Sequence, residues 1–439
     1  MNITQNEVLK FVEENDVKFI RLAFFDIFGK MKNVSIMSTE LPRAFESGIL
    51  FDASSVRGFM NIEESDLLLF PDANTLSILP WRPQQGRVVR FYCNIKHPDG
   101  TPFEGDGRYI LKNAMLEAQE AGYTVQIGTE CEFYLFETDE KGKPTLIPHD
   151  FGGYCDVAPA DKGENVRREI CLTLEEMDIK PETSHHESGP GQNEIDFKYS
   201  NALVAADNLE TFKSVVKSVA SRNGLFASFM PVPLKESCGS GLHVNFSLLS
   251  NGINIFENNT SEHTNDAEYF ISGILQRVKE ITLFLNPIQN SYERFGKGEA
   301  PCYVTWSHQN RSQLIRIPAV TGELSRMELR SPDPTSNPYI ALSLLIYAGL
   351  EGIKNKLKLP EPTNLNLYKA TKEQLNGIEM LPKTLEEAIS LAEKSEFVKN
   401  NLNETITKIF LDEKKNECDL INSCGDKAKF EFDNYFTQF

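Results

Sequence analysis

Two glutamates one residue apart, Glu130 and Glu132, lie in the stretch Val-Gln-Ile-Gly-Thr-Glu-Cys-Glu-Phe-Tyr-Leu-Phe from Val125 to Phe136. Val125, Ile127, Cys131, Phe133 and Leu135 share one side of a period-2 pattern, and Gln126, Gly128, Glu130, Glu132 and Tyr134 share the other, which describes a strand with one buried face. Side chains two apart on one face stand roughly 7 Å apart, so these carboxylates repel unless protons or cations lie between them. A solvated acidic face on an edge strand gives the same pattern, and a lone Glu-x-Glu is more often that than a metal site. The other polar strands decide between the two readings.

His185-His186-Glu187-Ser-Gly-Pro-Gly-Gln192-Asn193-Glu194-Ile-Asp-Phe reads as two short strands around a Ser-Gly-Pro-Gly turn, with Glu187 ending one arm and Glu194 starting the next. In the second arm Glu194, Asp196 and Lys198 share a face. Leu242-His-Val-Asn-Phe-Ser-Leu sets His243, Asn245 and Ser247 opposite Val244 and Phe246, after Gly239-Ser-Gly241, where backbone amides can approach a ligand. Arg326-Met-Glu328-Leu-Arg330 sends Arg326, Glu328 and Arg330 to one face, and Arg311 and Arg316 lie just upstream. Surface ion pairs would explain any one of these strands. Together, several carboxylates and one imidazole form the oxygen-rich ligand set of Mg²⁺ or Mn²⁺ and not of zinc, while the guanidinium cluster suits phosphate and carboxylate ligands.

These strands need a scaffold. Thr4 and Glu7 form a capping box for a short helix, followed by strands at Lys18–Phe25, Asn33–Ile36, Thr75–Ile78 and Arg87–Ile95. Breakers crowd His97–Gly107, which sets a domain boundary near residue 100. Asp106 can then cap a helix that Gly122 ends. Further helices are expected at Glu164–Met177, at Asn208–Asn223 with Asp207 and Glu210 as capping box, at Ala267–Phe284 and at Pro338–Leu357, with a helical, polar tail over Thr384–Phe439. Alternating strands and helices give a mixed sheet backed by helices.

A chain of 439 residues, 40 % hydrophobic and 25 % charged, is an ordinary globular composition with room for more than one domain. Its 45 basic and 63 acidic side chains leave a net charge of −18, which disfavours a nucleic-acid backbone as a direct partner. Anionic ligands would need locally gathered arginines and acids masked by cations. The eight cysteines show no Cys-x-x-Cys pair, so they are expected as reduced thiols. No basic-then-apolar leader or long apolar run appears, and a cytoplasmic protein without membrane contact is expected.

The chain resembles the type I glutamine synthetases over nearly its whole length. The resemblance is carried by Phe51-Asp52-Ala-Ser-Ser, Glu130-Cys-Glu132-Phe-Tyr-Leu-Phe, His185-His-Glu187 with Gly191-Gln-Asn-Glu194, Gly239-Ser-Gly-Leu-His243, Asn290-Ser-Tyr-Glu-Arg294 with Glu299-Ala-Pro, Asn310-Arg311-Ser with Arg316-Ile-Pro, and Glu328-Leu-Arg330-Ser. Each motif is weak alone; in this order they are specific. The resemblance implies an α+β protein: a small amino-terminal β-grasp domain (1–100), then a larger catalytic domain (101–439) with a curved mixed or antiparallel sheet backed by helices.

It also implies the activity, ATP-dependent ligation of ammonia to the γ-carboxylate of L-glutamate through a γ-glutamyl phosphate, in nitrogen assimilation. By the same resemblance, Glu132, Glu187 and Glu194 hold one divalent metal and Glu130, His243 and Glu328 the other, with Mg²⁺ or Mn²⁺ at two sites and room for a third beside the nucleotide. Gly239, Arg294 and Arg330 orient glutamate, and Arg311 and Arg330 neutralise the phosphoryl group. Arg316 and Arg326 face ATP, with Glu182, Tyr199, Asn245 and Ser247 near the nucleotide. Asp52 takes a proton from ammonium, and the loop ending in Glu299 closes the site. The implied assembly is a dodecamer of two stacked six-membered rings with active sites between subunits, to which a regulatory protein partner could bind.

This sequence departs from the family pattern in places. Cys238 and Glu293 replace the usual Asn and Lys, Ala53 replaces a glycine, and the loop from Arg294 to Glu299 is one residue short. Length and the missing middle insertion match the shorter subdivision, regulated by glutamine feedback and not by adenylylation, but Asn61 stands where that subdivision often has its feedback arginine. A ligase for a larger amine would want a neutral pocket in place of Asp52. A non-catalytic ring would have lost a metal ligand, and all six are present.

Overall fold

The computed structural model describes residues 3–82, 85–257 and 264–439. Its first layer is a six-stranded sheet: β1 (Val17–Phe25), β2 (Met31–Met37), β3 (Ile49–Asp52), β4 (Asp66–Pro71), β5 (Ser77–Ile78) and β6 (Arg87–Lys96) in the order β2-β1-β6-β4-β3, with β5 beside β6. The central β1–β6 pair is parallel and its neighbours are antiparallel. Parallel neighbours need a crossover, here the chain from β2 to β5 that includes α2 (Leu41–Ser47). Helix α1 (Gln5–Glu14) starts at the expected Thr4–Glu7 capping box and buries Val8 and Val12. The expected strand at Thr75–Ile78 is shorter. Asp72 caps a 3₁₀ turn at Ala73–Thr75, so only Ser77 and Ile78 pair with β6.

Helix α3 (Gly107–Glu120), capped by Asp106 as expected, leads into the second sheet. Its long strand β7 (Tyr123–Thr138) is flanked by β8 (Pro144–Pro148), β10 (Gln192–Phe197), β11 (Ser200–Asn201), β12 (Leu225–Ser228) and β13 (Leu242–Ser250). From β7 the sheet extends one way through β10 to β9 (Pro181–His186). The other way it runs through β13 to β14 (Ile253–Asn254), β15 (Trp306–His308), β16 (Ile315–Ile317) and β17 (Met327–Leu329), in the path β15-β16-β17-β13-β7-β10-β9. Odd-numbered β7 residues from Val125 to Leu135 are buried on the side covered by helices, as the alternation requires.

The helices behind this sheet are α4 (Glu164–Glu176), α5 (Ala202–Arg222), α6 (Asn265–Leu285) and α7 (Pro338–Asn355). Glycines let α6 and α7 touch backbone to backbone: a Cβ on Gly273 would collide with the Ala348 carbonyl, and one on Gly352 with that of Tyr269. Helix α5 starts at Ala202, capped by Asn201, and not at Asn208. Residues 202–206 continue the helical pattern without a breaker. Asp207 is no cap; it is buried and accepts hydrogen bonds from Arg108 (2.9 and 3.1 Å) and Tyr339 (2.7 Å). Arg108, 1 % exposed, also bonds Asp72 at 3.0 Å, so this buried cation ties the first sheet to the second domain's helices. The tail forms α8 (Lys372–Leu375), α9 (Leu385–Lys394), α10 (Glu396–Asn401), α11 (Glu404–Ser423) and α12 (Lys427–Glu431). Near its end, Phe436 packs on Phe136 and Phe226.

Candidate active site

Register assembles the site. Glu130 on β7 stands opposite His243 on β13 and Asp196 on β10, Glu132 stands opposite Glu194, and Glu194 opposite His185. Farther along, Glu328 pairs with Asn245 on one side and Arg316 on the other. Directly opposed residues project to the same face, so polar positions from β9, β10, β7, β13, β17 and β16 meet on one surface. They line a cavity of about 950 Å³ that holds all six expected metal ligands, Glu130, Glu132, Glu187, Glu194, His243 and Glu328.

The acid side of the cavity is crowded. His243 Nδ1 lies 3.2 Å from Glu130 and 3.6 Å from Glu328, while His185 Nε2 lies 3.0 Å from Glu187 and 3.7 Å from Glu194. Glu132 accepts from the Gln192 side chain and from the Gly241 amide, both at 2.9 Å. Burial and then the charges of Asp196, Glu132, Glu130 and Glu187 push Glu194 well above the usual carboxylate range. Burial and the charge of Glu130 raise Asp196 to about 6. Burial opposes the charge on Glu130 too, but bonds from His243 and Asn245 outweigh it and hold that group down to about 2.

A carboxyl group lifted by like charges is one that a cation would relieve. Ligand atoms of Glu130, Glu194 and His243 lie within 4.8 Å of one another, as do those of His185, Glu187 and Glu194. Oxygen donors with an imidazole suit divalent cations of the Mg²⁺ or Mn²⁺ kind, so the residues fit the group the sequence implied. These clusters share Glu194 and include His185. Glu328 instead receives Arg316 and Arg330 at 2.6 Å each.

The same cavity is rich in arginine. Arg294, Arg311, Arg316, Arg326 and Arg330 all line the cavity. Arg294 is 3 % exposed and donates to the Ser331 carbonyl at 2.9 Å. The Nε groups of Arg294, Arg316 and Arg330 are buried without a hydrogen-bond partner. Buried donors of that kind are uncommon, and three of them around one cavity point to an anionic ligand. Gly239 lets the chain pass Arg294, since a Cβ there would lie 2.9 Å from its Cγ and 2.8 Å from the Pro231 carbonyl. Glu299 sits at the mouth, with Arg311 Nη1 3.5 Å and Arg330 Nη2 3.6 Å from its carboxylate.

Other expected residues stand apart. Asn245 is buried beneath the cavity, donating to Glu130 and accepting from Arg326, both at 2.9 Å, while Ser247 donates to the Ser325 carbonyl. Glu182 and Tyr199 are exposed and do not line the cavity. Asp52 ends β3 in the other sheet, exposed and bonded to Ser54 and Ser55, and does not reach this chain's cavity. Asp196, which alternation sets on the face of Glu194, lines the cavity too, as do His185, Tyr154, Cys155 and Lys297, to which the sequence assigns no role. Tyr154 and Cys155 lie on an irregular loop that carries no periodic signal.

Carboxylates, imidazoles and buried guanidinium groups around one cavity define an enzyme that brings anions together on divalent cations, as a nucleotide-dependent ligase must. Comparison with known proteins makes this particular. Residues 16–98 match the family model of the glutamine synthetase β-grasp domain, and residues 104–435 that of the glutamine synthetase catalytic domain. The chain is 50 % identical over 408 residues to a glutamine synthetase of Clostridium saccharobutylicum, covering 92 % of each. It is 46 % identical over 442 residues to one of Staphylococcus aureus, covering 99 % of each. Among solved structures, a GmaS in complex with ADP superposes with a TM-score of 0.87 at 26 % identity, covering 98 % of this chain and 99 % of that one. A Plasmodium falciparum glutamine synthetase at 24 % identity shares the fold, with a TM-score of 0.86 and 99 % of each chain covered. The chain belongs to the glutamine synthetase family, and its reaction is the ATP-dependent synthesis of glutamine from glutamate and ammonia.

Proposed function

We propose that the cavity carries this reaction by phosphorylating the γ-carboxylate of glutamate. The observation that carries the reading is one cavity lined by carboxylates, imidazoles and five arginines together, with Arg316 and Arg330 set directly on the buried Glu328 carboxylate. A γ-carboxylate oxygen attacks the γ-phosphorus of ATP, ADP leaves, and ammonia then attacks the acyl carbon and expels phosphate. The first step sets one anion against another, and electrostatic stabilisation is what such transfer needs most. Glu132, Glu187 and Glu194 would hold one divalent cation and Glu130, His243 and Glu328 a second, Mg²⁺ or Mn²⁺ in each case. When bound, these cations neutralise the phosphate oxygens and polarise them.

The chain's own groups do the rest. Arg294, Arg330 and the Gly239 backbone orient glutamate, Arg311 and Arg330 meet the charge on the phosphoryl group in transfer, and Arg316 and Arg326 face the nucleotide. Glu182, Tyr199, Asn245 and Ser247 are expected around that nucleotide, with Asn245 acting from beneath by fixing Glu130 and Arg326. Glu299 closes the mouth and shields the acyl phosphate from water. Asp52, which does not line its own chain's cavity, would serve a neighbour's site and take the ammonium proton there.

Head-to-tail packing of that kind closes into rings, and a dodecamer of two six-membered rings is the assembly we favour. Residues 1–100 and 101–439 are taken as the two domains, the enzyme as cytoplasmic, and its subdivision as the shorter, non-adenylylated one. Phosphate release coupled to a reporter, with glutamate, ATP and either NH₄⁺ or primary amines, tests the substrate assignment. Turnover is expected with NH₄⁺ and far less with methylamine; faster turnover with the amine would reassign the acceptor.

A further inference from the structure

His186 is the one member of the His185-His186-Glu187 run that does not face the cavity. It is 0 % exposed, and both ring nitrogens meet oxygen: Nδ1 lies 2.6 Å from the Glu187 carbonyl and Nε2 lies 2.7 Å from Asp150 Oδ1. A carbonyl and an ionised carboxylate only accept, so the ring donates from both nitrogens. Asp150, 2 % exposed, also accepts from the Gly191 amide at 2.9 Å, Lys162 at 2.9 Å and Gly152 at 3.3 Å.

One buried pair therefore holds several segments. Through His186 it fixes the peptide carbonyl of Glu187, and through Gly191 the far end of the same hairpin. Through Gly152 and Lys162 it closes the base of loop 151–161, whose Cys155 amide donates to the His186 carbonyl at 2.9 Å. Tyr154 and Cys155 of that loop line the cavity beside Glu187. Gly152 is shaped for the contact, since a Cβ there would lie 2.9 Å from His186 Nε2.

Asp161 joins Asp150 and His186 in a buried cluster with metal-like spacing. Arg167 neutralises Asp161 at 2.6 Å, as His186 neutralises Asp150, so the cluster holds two acids and two cationic groups and has no charge left for an ion.

We infer that Asp150 and His186 are positioning residues that set the Glu187 carboxylate for its metal and hold loop 151–161 against the same wall. The inference rests on the assignment of Glu187 as a metal ligand. Partners behind a metal ligand typically change affinity by about 10- to 100-fold when removed. The test uses the full-length oligomer stripped of metal and titrated with Mn²⁺ alone, free Mn²⁺ being read by electron paramagnetic resonance. His186→Asn and Asp150→Asn should weaken Mn²⁺ binding by about 10-fold or more while the protein keeps its oligomeric size.

Glu187→Gln is the reference arm. Wild-type Mn²⁺ binding in Glu187→Gln overturns the ligand assignment, whereas weakened binding there with wild-type binding in His186→Asn overturns the positioning role alone. A merely structural role would lower the unfolding temperature and leave Mn²⁺ affinity unchanged in the folded protein. If His186→Asn does not fold, Gly152→Ala decides, because it presses a methyl group on the ring without removing it. Weaker Mn²⁺ binding supports the inference, and wild-type binding overturns it.

Discussion

Replacing Glu328 separates folding from catalysis. Its carboxylate is 1 % exposed and receives Arg316 and Arg330 at 2.6 Å each, one guanidinium per oxygen. Alanine leaves both guanidinium groups without their acid, a loss of about 3–5 kcal/mol for a broken buried pair. That is tolerable beside the roughly 5–15 kcal/mol of a typical folded protein, so the variant should assemble but unfold at lower temperature. Glutamine keeps the shape and one acceptor oxygen, losing one charged hydrogen bond worth about 1.5–3 kcal/mol.

On the proposed assignment, both substitutions remove a metal ligand and release Arg330, which meets the phosphoryl group, and Arg316, which faces the nucleotide. Loss of one preorganised electrostatic contact costs about 10²–10³ in kcat, and both variants should lose at least that much. Initial rates of phosphate release at saturating Mg²⁺, ATP, glutamate and NH₄⁺ measure it, with chromatographic size and thermal unfolding recorded in parallel. Wild-type kcat in Glu328→Gln at saturating Mg²⁺ would refute the assignment.

If Asp52 serves a neighbouring cavity, inactive Asp52→Ala and Glu328→Ala subunits should regain part of the activity when co-expressed, since some interfaces then join an intact loop to an intact metal wall. Mixed oligomers, verified by mass, that are no more active than either parent would place Asp52 in its own subunit's site. Tyr368, in Asn-Leu-Tyr-Lys-Ala-Thr, is expected to carry no nucleotide, and intact mass from nitrogen-replete cells checks this. Burial first, and then the charges of Lys213 and Lys30, depress Lys217 from its ordinary 10.5 to about 8. Below pH 8 its charged form therefore opposes folding, and stability gains as pH rises from about 8 towards 10.5, where the unfolded chain holds more protons. Denaturant unfolding at pH 7.5 and 9.5 should show that gain, and Lys217→Met should abolish it and be the more stable protein at pH 7.5.

Alternation along single strands is local, and it correctly set Glu130, Glu132, Glu194, His243 and Glu328 on polar faces before any partner strand was known. Which faces meet is a matter of register across distant segments. β7 pairs with β13 on one side and β10 on the other, so the closeness of Asp196 to Glu130, and of His185 to Glu194, was not readable from spacing. The start of α5 was misplaced for a related reason: Asp207 and Glu210 mimic a capping box, while the acid's real partner, Arg108, lies 99 residues away. Loop 151–161 has neither period, and its role follows only from the buried carboxylate that holds it. The first sheet was legible as strands and, through the family resemblance, as a β-grasp domain, but its parallel β1–β6 pairing follows from no pattern within the strands.

Transfer of oxygen from glutamate to phosphate tests the central claim most directly. With both γ-carboxylate oxygens labelled by ¹⁸O, attack on ATP makes one of them the bridge of the acyl phosphate, and ammonia then expels it with the phosphate. Mass spectrometry should find one ¹⁸O in the phosphate for each glutamine formed and one retained in the product amide. Unlabelled phosphate, with the second ¹⁸O recovered in water, would contradict the account.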